Sequence, residues 1–172
     1  ETWAFIERTN SHYPPDTASY TIDQQRHVYD RMCQAFHAGR PEGVTVDDGR
    51  MDGVLARRYR PSGASDVTMA YFHGGGFVVG GLDSHDDVCA ELSSRTGFPV
   101  ISADYRLSPE HPHPAAFEDA VTVVRQVARM TPRFLLVGDS AGGNLAAAAS
   151  HALRGELTPM GQVLVYPSLG GD

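Results

Sequence analysis

A serine flanked by two glycines is the first feature of this sequence that could do chemistry. Gly138 and Gly142 bracket Ser140 in the pattern G-x-S-x-G, between an apolar run at 134–137 and an alanine-rich run at 145–149. The apolar run is too short for a helix, and a helix-forming segment follows directly after the glycines. This order predicts a buried strand, a tight turn and a helix. Such a turn strains the serine backbone and exposes the hydroxyl beside a helix N-terminus.

The five-residue pattern is not specific by itself, so its surroundings have to decide between two readings. Chymotrypsin-like proteases also carry Gly-Asp-Ser at the nucleophile, as Gly138, Asp139 and Ser140 do here. Those proteases are all-β, and a long helix-forming run after the serine does not fit them. The strand–turn–helix context instead favours the nucleophile turn of an α/β fold.

A glycine-rich group at 73–76, His-Gly-Gly-Gly, follows the apolar run at 67–72. It could be a flexible loop or a phosphate cradle, but the known phosphate patterns place their glycines at a helix start, and Phe-Val-Val at 77–79 does not open a helix. Consecutive glycines allow backbone N–H groups to turn toward one point. Together with the N–H of Ala141, they would form an oxyanion hole.

The elements that must position these groups alternate along the chain. Thr21 and Gln24 have the form of a capping box that opens a helix closed by Gly39. From residue 67 onward, strands and helices alternate, which predicts a mostly parallel sheet with helices on both faces. Both glycine-bearing turns then lie at the carboxyl ends of strands, where such sheets bind ligands. The predicted strands are 44–46, 54–59, 67–72, 99–103, 134–137 and 163–166, with a turn at 47–49.

Composition narrows the class of partner. The 172 residues carry 14 basic and 21 acidic side chains without a basic cluster, which argues against nucleic acid or an anionic membrane surface as a partner. No apolar run approaches the length of a membrane span. Cys33 and Cys89 lack metal-ligand spacing and are predicted to be reduced thiols of a cytoplasmic protein. We expect neither a metal nor another cofactor.

Three motifs in order resemble the hormone-sensitive-lipase-like family of α/β-hydrolase carboxylesterases. They are His-Gly-Gly-Gly at 73–76, Asp-Tyr-Arg-Leu-Ser-Pro-Glu-His-Pro at 104–112 and Gly-Asp-Ser-Ala-Gly-Gly-Asn at 138–144. The resemblance implies an α/β-hydrolase fold with helices of an N-terminal cap at 1–40 and the N-terminal part of the catalytic domain at 41–172. It also implies hydrolysis of small-molecule esters with short acyl chains.

The same resemblance assigns roles to residues of this chain. Ser140 would be the nucleophile, and Gly74, Gly75 and Ala141 would supply the oxyanion N–H groups. His73 would orient its loop without moving protons, and Gly76 and Asp139 complete the two motifs. The polar residues of the middle motif are expected to hold loops near the site through buried pairing; they are Asp104, Arg106 and Glu110.

The chain departs from the family in lacking a recognisable catalytic base. This fold places the acid and the histidine after the serine, but the one later histidine, His151, lies on the same predicted helix, about 16 Å along its axis. The earlier histidines are expected to be surface, cap or loop residues. They are His12, His27, His37, His73, His85, His111 and His113.

We therefore expect the acid and the histidine to lie outside this chain. The apolar strand predicted at 163–166 would otherwise end the sheet with an exposed edge. This predicts that the 172 residues are the N-terminal portion of a larger domain. The remainder of that domain is either carried by a second polypeptide or missing. The isolated chain is then expected to be inactive. The alternative is a catalytically silent receptor for a small molecule on the same scaffold.

Overall fold

The structure, a computed structural model, describes residues 1–170. Its helices are α1 (Thr2–Ser11), α2 (Ile22–Phe36), α3 (Asp86–Thr96), α4 (Ala115–Met130) and α5 (Ala141–Ala152), with a 3-10 turn at Thr17–Ser19. Its strands are β1 (Val44–Met51), β2 (Val54–Pro61), β3 (Thr68–Phe72), β4 (Val100–Asp104), β5 (Phe134–Asp139) and β6 (Gly161–Val165).

One six-stranded sheet organises the described residues, in the order β1-β2-β4-β3-β5-β6. Strands β4, β3, β5 and β6 run parallel, whereas β1 and β2 form an antiparallel hairpin that joins the sheet at β4. This confirms the mostly parallel sheet predicted from the alternating elements and the α/β-hydrolase architecture implied by the resemblance. Since β3 and β5 are neighbours, the turns that follow them emerge side by side at the carboxyl edge.

The hairpin corrects the turn predicted at 47–49. Strand β1 continues through those residues, and the reversal occurs at Asp52 and Gly53, which have φ angles of 51° and 94°. Two residues with positive φ form the tight turn that suits a two-residue hairpin loop. Asp48 remains in the strand because its carboxylate accepts hydrogen bonds from Arg57 on β2. Cross-strand pairing therefore outweighs the turn propensity of the Asp-Asp-Gly sequence.

Helices cover both faces of the sheet, so alternate residues of the central strands enter different cores. On β3, Phe72 packs in the core beneath α4 and α5, whereas Tyr71 packs in the core beneath α3.

The capping box predicted at Thr21 and Gln24 is present at the start of α2. Gly97, with a φ of 70°, ends α3 in the left-handed conformation.

Strand β6 lies at one edge of the sheet in residues 1–170. It pairs with β5, and its apolar side chains Val163 and Val165 are 49% and 42% exposed. Among the described residues, none of the helices is both long and apolar enough to cross a membrane.

Helix α5 begins unusually close to strand β3. A Cβ atom added to Gly142 would collide with the backbone carbonyls of Phe72 and His73, and one added to Gly138 would collide with the backbone of Gly142 itself. The two glycines of G-x-S-x-G are therefore required by packing. Because the helix can approach the strand this closely, the serine turn and the turn after β3 occupy the same corner of the molecule.

A buried carboxylate fastens the segment after α2 to the sheet. Asp86 accepts hydrogen bonds from Arg40, at 2.8 and 2.9 Å, from Arg57 at 3.0 Å and from the Tyr59 hydroxyl at 2.9 Å, and it lies 3.3 Å from His37. Burial by itself would raise the pKa of Asp86, but the hydrogen bonds from Arg40, Tyr59 and His37 outweigh it and lower the pKa to about 2.

We expect Gly142→Ala to destabilise the protein by about 3 kcal/mol or more, because the new methyl group must displace backbone atoms of β3. The free energy of unfolding in denaturant measures the effect. Gly161→Ala is the matched control: its Cβ would meet only a flexible leucine side chain at 3.4 Å, so stability should change by less than about 1 kcal/mol. Equal effects of the two substitutions would contradict the close approach.

Asp86→Asn should cost about 2 kcal/mol of stability at pH 7, with a characteristic pH dependence. The folded pKa of about 2 lies below the unfolded value of about 3.9, so the stabilisation is complete above pH 5 and is lost as the pH falls toward 2. The difference between the wild type and the variant should therefore shrink with acidification. Unfolding curves between pH 7 and pH 3 test this. Asp47→Asn, which removes an exposed partner of Arg58, should cost far less.

Candidate active site

The serine turn has the strained geometry that the sequence predicts. Ser140 has φ 51° and ψ −117°, which a residue with a side chain rarely adopts. Its N–H donates to the Val165 carbonyl at 2.9 Å, and its carbonyl accepts from the N–H groups of Asn144 at 3.1 Å and Ser168 at 3.0 Å. Hydrogen bonds to β6, to α5 and to the loop after β6 stabilise this strained conformation. The residue therefore stands at the junction of β5 and α5 without a side-chain cap bond of its own.

The glycine loop after β3 touches the residue that precedes this serine. The Gly74 N–H donates to Asp139 Oδ1 at 3.0 Å, and a Cβ on Gly74 would overlap the same carboxylate. Asp139 Oδ1 also accepts from the Tyr71 hydroxyl at 2.8 Å. The two glycine-bearing corners are therefore bonded to each other through one side chain.

This contact corrects the predicted set of oxyanion donors. The single N–H of Gly74 is already used by Asp139, so it is not free to meet a substrate oxygen. Within residues 1–170, the N–H groups of Gly75, Gly76 and Ala141 donate to no acceptor. The loop thus keeps two free donors, displaced by one residue from the predicted pair, and the first residue of α5 keeps a third.

His73 determines the direction of the first of these donors. Its Nδ1 lies 2.7 Å from the Gly74 carbonyl oxygen, to which it donates a hydrogen bond. Since the peptide unit is planar and trans, fixing the Gly74 carbonyl also fixes the Gly75 N–H, which points the opposite way. The histidine therefore orients a backbone donor.

A tight turn determines the direction of the second donor. The Gly75 carbonyl accepts from the N–H groups of Val78 and Val79, each at 3.0 Å. The Gly76 N–H belongs to the same peptide unit and so points away from that turn. Gly75 has a φ of 122°, and a Cβ there would collide with the Val79 carbonyl, which explains the need for glycine.

His73 is built for this holding role. Its ring stacks on Tyr105 with 4.3 Å between centroids, the Tyr105 hydroxyl donates to the His73 carbonyl at 2.7 Å, and the side chain is fully buried. Burial lowers the pKa of His73 to about 4, so the ring is neutral at pH 7. A neutral ring whose Nδ1 proton is donated to a carbonyl cannot also act as a base through that nitrogen.

Asp139 is a buried carboxylate that stays ionised. Burial opposes its charge, but hydrogen bonds from His85, Tyr71 and the Gly74 N–H outweigh burial and lower the pKa of Asp139. His85 Nε2 lies 3.5 Å from Asp139 Oδ1, and His85 is buried. As expected, His73 lies in the loop after β3 and His85 at the N-cap of α3, but both side chains are buried. The sequence does not reveal the contact of His85 with Asp139, because the two residues lie 54 positions apart in the chain.

The three polar residues of the middle motif differ in whether they find a charged partner. Arg106 pairs with Asp119, and Glu110 pairs with Arg26, but Arg106 and Glu110 are both about half exposed, so neither pair is buried on both sides. Asp104 makes no hydrogen bond or ion pair within the part of the chain that the structure describes, and burial raises the pKa of its carboxyl. Buried pairing is therefore wrong for all three, although two of them do hold loops.

A small apolar cavity of about 250 Å³ opens beside the free donor of Gly76. Its walls come from the glycine loop, the loop before α4, and the first turns of α4 and α5. Apolar side chains dominate the lining, with two histidines at 111 and 113. The main apolar contributors are Phe77, Ala116, Phe117, Leu145 and Ala148.

The Ser140 hydroxyl makes no hydrogen bond to any side chain among residues 1–170. Two buried histidines near this turn already have other partners. His73 bonds with Gly74, and His85 lies beside Ser84 and Asp139. Across the same residues, no group of three or more His, Cys, Asp or Glu side chains could hold a metal ion.

Known proteins resemble this chain in sequence and in structure. The family model for the alpha/beta hydrolase fold matches residues 69–172. The esterase LipI of Mycobacterium tuberculosis is 42% identical in an alignment of 144 positions that covers 74% of this chain and 45% of LipI. An acetyl esterase of Salmonella paratyphi B is 35% identical in an alignment of 161 positions that covers 88% of this chain and 50% of that protein.

Among solved structures, a crystal structure of an esterase from the bacterial hormone-sensitive lipase family superposes with a TM-score of 0.85 at 33% identity, over 94% of this chain and 55% of that one. The chain thus spans about half the length of the relatives it matches. In those relatives the matched region is part of one longer chain, so the expected second polypeptide has no support. The chain belongs to the α/β-hydrolase fold family, and its resemblance to the hormone-sensitive-lipase-like branch is confirmed.

Proposed function

We propose that the protein is a serine carboxylic-ester hydrolase that acts on short acyl esters through an acyl-enzyme. The observation that carries the proposal is a strained serine beside free N–H groups of Gly75, Gly76 and Ala141. Free donors in the glycine loop and at the first residue of α5 would suit the negative charge that develops on a carbonyl oxygen under attack. The names of the relatives, esterases and acetyl esterases, support the same reaction class.

In the proposed reaction, Ser140 Oγ attacks the ester carbonyl carbon while a base takes the hydroxyl proton. The carbonyl oxygen becomes an oxyanion held by the donors of Gly75, Gly76 and Ala141. Collapse of this intermediate breaks the bond to the alcohol, which leaves with the proton from the base. Water then attacks the acyl-serine carbonyl while the base takes a proton from the water. The bond to Ser140 Oγ breaks, Oγ receives that proton, and the carboxylic acid is released.

The base and its orienting acid are proposed to lie outside residues 1–172. The fold orders its triad as serine, acid and histidine along the chain. His151, the one histidine after Ser140, is on the outer part of the same helix and is exposed. The exposed apolar face of β6 would then pack against the portion that carries them.

The cavity beside Gly76 supports a short acyl group as substrate. Its volume of about 250 Å³ lies below the range of about 300–1,000 Å³ that drug-sized ligands occupy. Apolar walls favour a hydrocarbon group over a charged one. We further propose that residues 1–40 form part of a cap over the site, and that the protein is cytoplasmic, in keeping with the free thiols Cys33 and Cys89.

We expect a fluorophosphonate to label the natural gene product at Ser140, because only an activated serine attacks phosphorus rapidly. Ser140→Ala should abolish the labelling and reduce hydrolysis of p-nitrophenyl acetate by about 10⁴-fold or more. Ser150→Ala, a serine on the following helix whose hydroxyl accepts a bond from Gln162, should leave both intact. Mass spectrometry of the labelled peptide identifies the residue.

The same experiment separates the enzyme from its alternative. A silent small-molecule receptor would label slowly or not at all and would not turn over the ester, which would contradict the proposal. Residues 1–172 alone should show no appreciable turnover, since the base is proposed to lie elsewhere. Rapid turnover by that fragment, dependent on Ser140, would show that the base is within it.

A larger side chain in the cavity should reduce the length of the acyl chain that the protein accepts. Ala148→Phe places a ring among the cavity walls, so kcat/KM for p-nitrophenyl hexanoate should fall by about tenfold or more relative to the acetate ester. Ala147→Phe, one residue earlier and outside the lining, should change the two esters equally. An unchanged chain-length profile in Ala148→Phe would mean that the acyl group binds elsewhere.

A further inference from the structure

Arg26 extends from helix α2 to two loops at the carboxyl edge of the sheet. Its Nε donates to the Val78 carbonyl at 2.8 Å, and its Nη2 donates to the Ser108 carbonyl at 3.0 Å. Nη1 and Nη2 also donate to the two oxygens of Glu110, at 2.9 and 2.7 Å. The planar guanidinium is thus engaged along its whole fork, which fixes its orientation.

The first of these loops is the one that carries the free donors. Val78 belongs to the turn in which the Gly75 carbonyl accepts two N–H bonds, and that carbonyl determines where the Gly76 N–H points. Arg26 binds the outward carbonyl of the same turn. A displacement of Val78 would therefore rotate the peptide unit that presents the Gly76 donor.

The second loop is bonded to the first. The Ser108 N–H donates to the Phe77 carbonyl at 2.8 Å, and Arg26 bridges the Ser108 and Val78 carbonyls on either side of that bond. The guanidinium closes a ring of contacts around Phe77. Without it, the two loops would share this one backbone bond at that point.

The glycine loop also needs an external tether because its backbone is strained. Phe77 has a φ of 64°, which is costly for a bulky side chain, and it follows Gly75 and Gly76 with φ of 122° and 60°. Such conformations persist only where surrounding contacts over-determine them. Arg26 supplies contacts immediately after the strained residue and across to the neighbouring loop.

We propose that Arg26 is a positioning residue that holds the Gly76 donor in its oxyanion-binding geometry, so that this donor depends on helix α2 being docked. The proposal rests on the function proposed above for Ser140. The alternative is that Arg26 merely anchors α2. Glu110 is about half exposed, so the ion pair contributes little to global stability, and loss of Arg26 should leave the fold intact.

The test compares Arg26→Gln, Arg26→Lys and Glu110→Gln with Arg31→Gln, an exposed arginine on the same helix that donates to neither loop. In Arg26→Gln, hydrogen exchange should accelerate at the amides of Val78 and Val79 while the melting temperature changes little. For p-nitrophenyl acetate and the natural gene product, kcat should fall about 10- to 100-fold with KM within about twofold, because misplaced donors weaken the transition state more than substrate binding.

Arg26→Lys should recover part of kcat, since one ammonium can reach one carbonyl, and Glu110→Gln should retain most of it because both carbonyl contacts remain. Arg31→Gln should match the wild type. Unchanged exchange and kcat in Arg26→Gln would overturn the proposal, as would a rise in KM alone or faster exchange throughout α2 with normal exchange at 78 and 79. If the wild type neither hydrolyses the ester nor reacts with a fluorophosphonate, the proposed function fails, and the exchange data alone decide whether Arg26 holds the loop.

Discussion

The contact on which this site depends is an approach between two backbones. Gly142, in the first turn of α5, lies directly on the carbonyls of Phe72 and His73 at the end of β3. Any side chain at position 142 would separate the helix from the strand. Without that approach, the serine turn and the glycine loop would occupy the same edge of the sheet but would lie too far apart for the shared site that we propose.

Three tethers then fix the glycine loop before any substrate arrives. Asp139 holds the Gly74 N–H, His73 holds the Gly74 carbonyl, and the turn to Val79 holds the Gly75 carbonyl. Because peptide units are planar, holding one side of each unit directs the other. Donors fixed in this way would need little reorganisation when charge develops in the reaction that we propose.

Several differences between the predicted and observed structure share a physical cause, since each involves a partner on another element. The hairpin reverses at Asp52 and Gly53 because Asp48 is held in the strand by an arginine of the neighbouring strand. Gly74 is lost as a donor because a carboxylate 65 residues later takes its N–H. His85 is buried because that same Asp139 lies beside it.

The sequence by itself determined the alternation of strands and helices, the capped start of α2 and the two glycine-bearing turns, because these depend on periodicity and on backbone freedom within a few residues. It also predicted that Ser140 stands at a strand–turn–helix junction, because the short apolar run, the glycines and the helix-forming run are adjacent in the chain. Only the tertiary structure decided which N–H groups are free and that Arg26 reaches the glycine loop 52 residues away. Those outcomes depend on competition among donors and acceptors that meet only when the chain is folded.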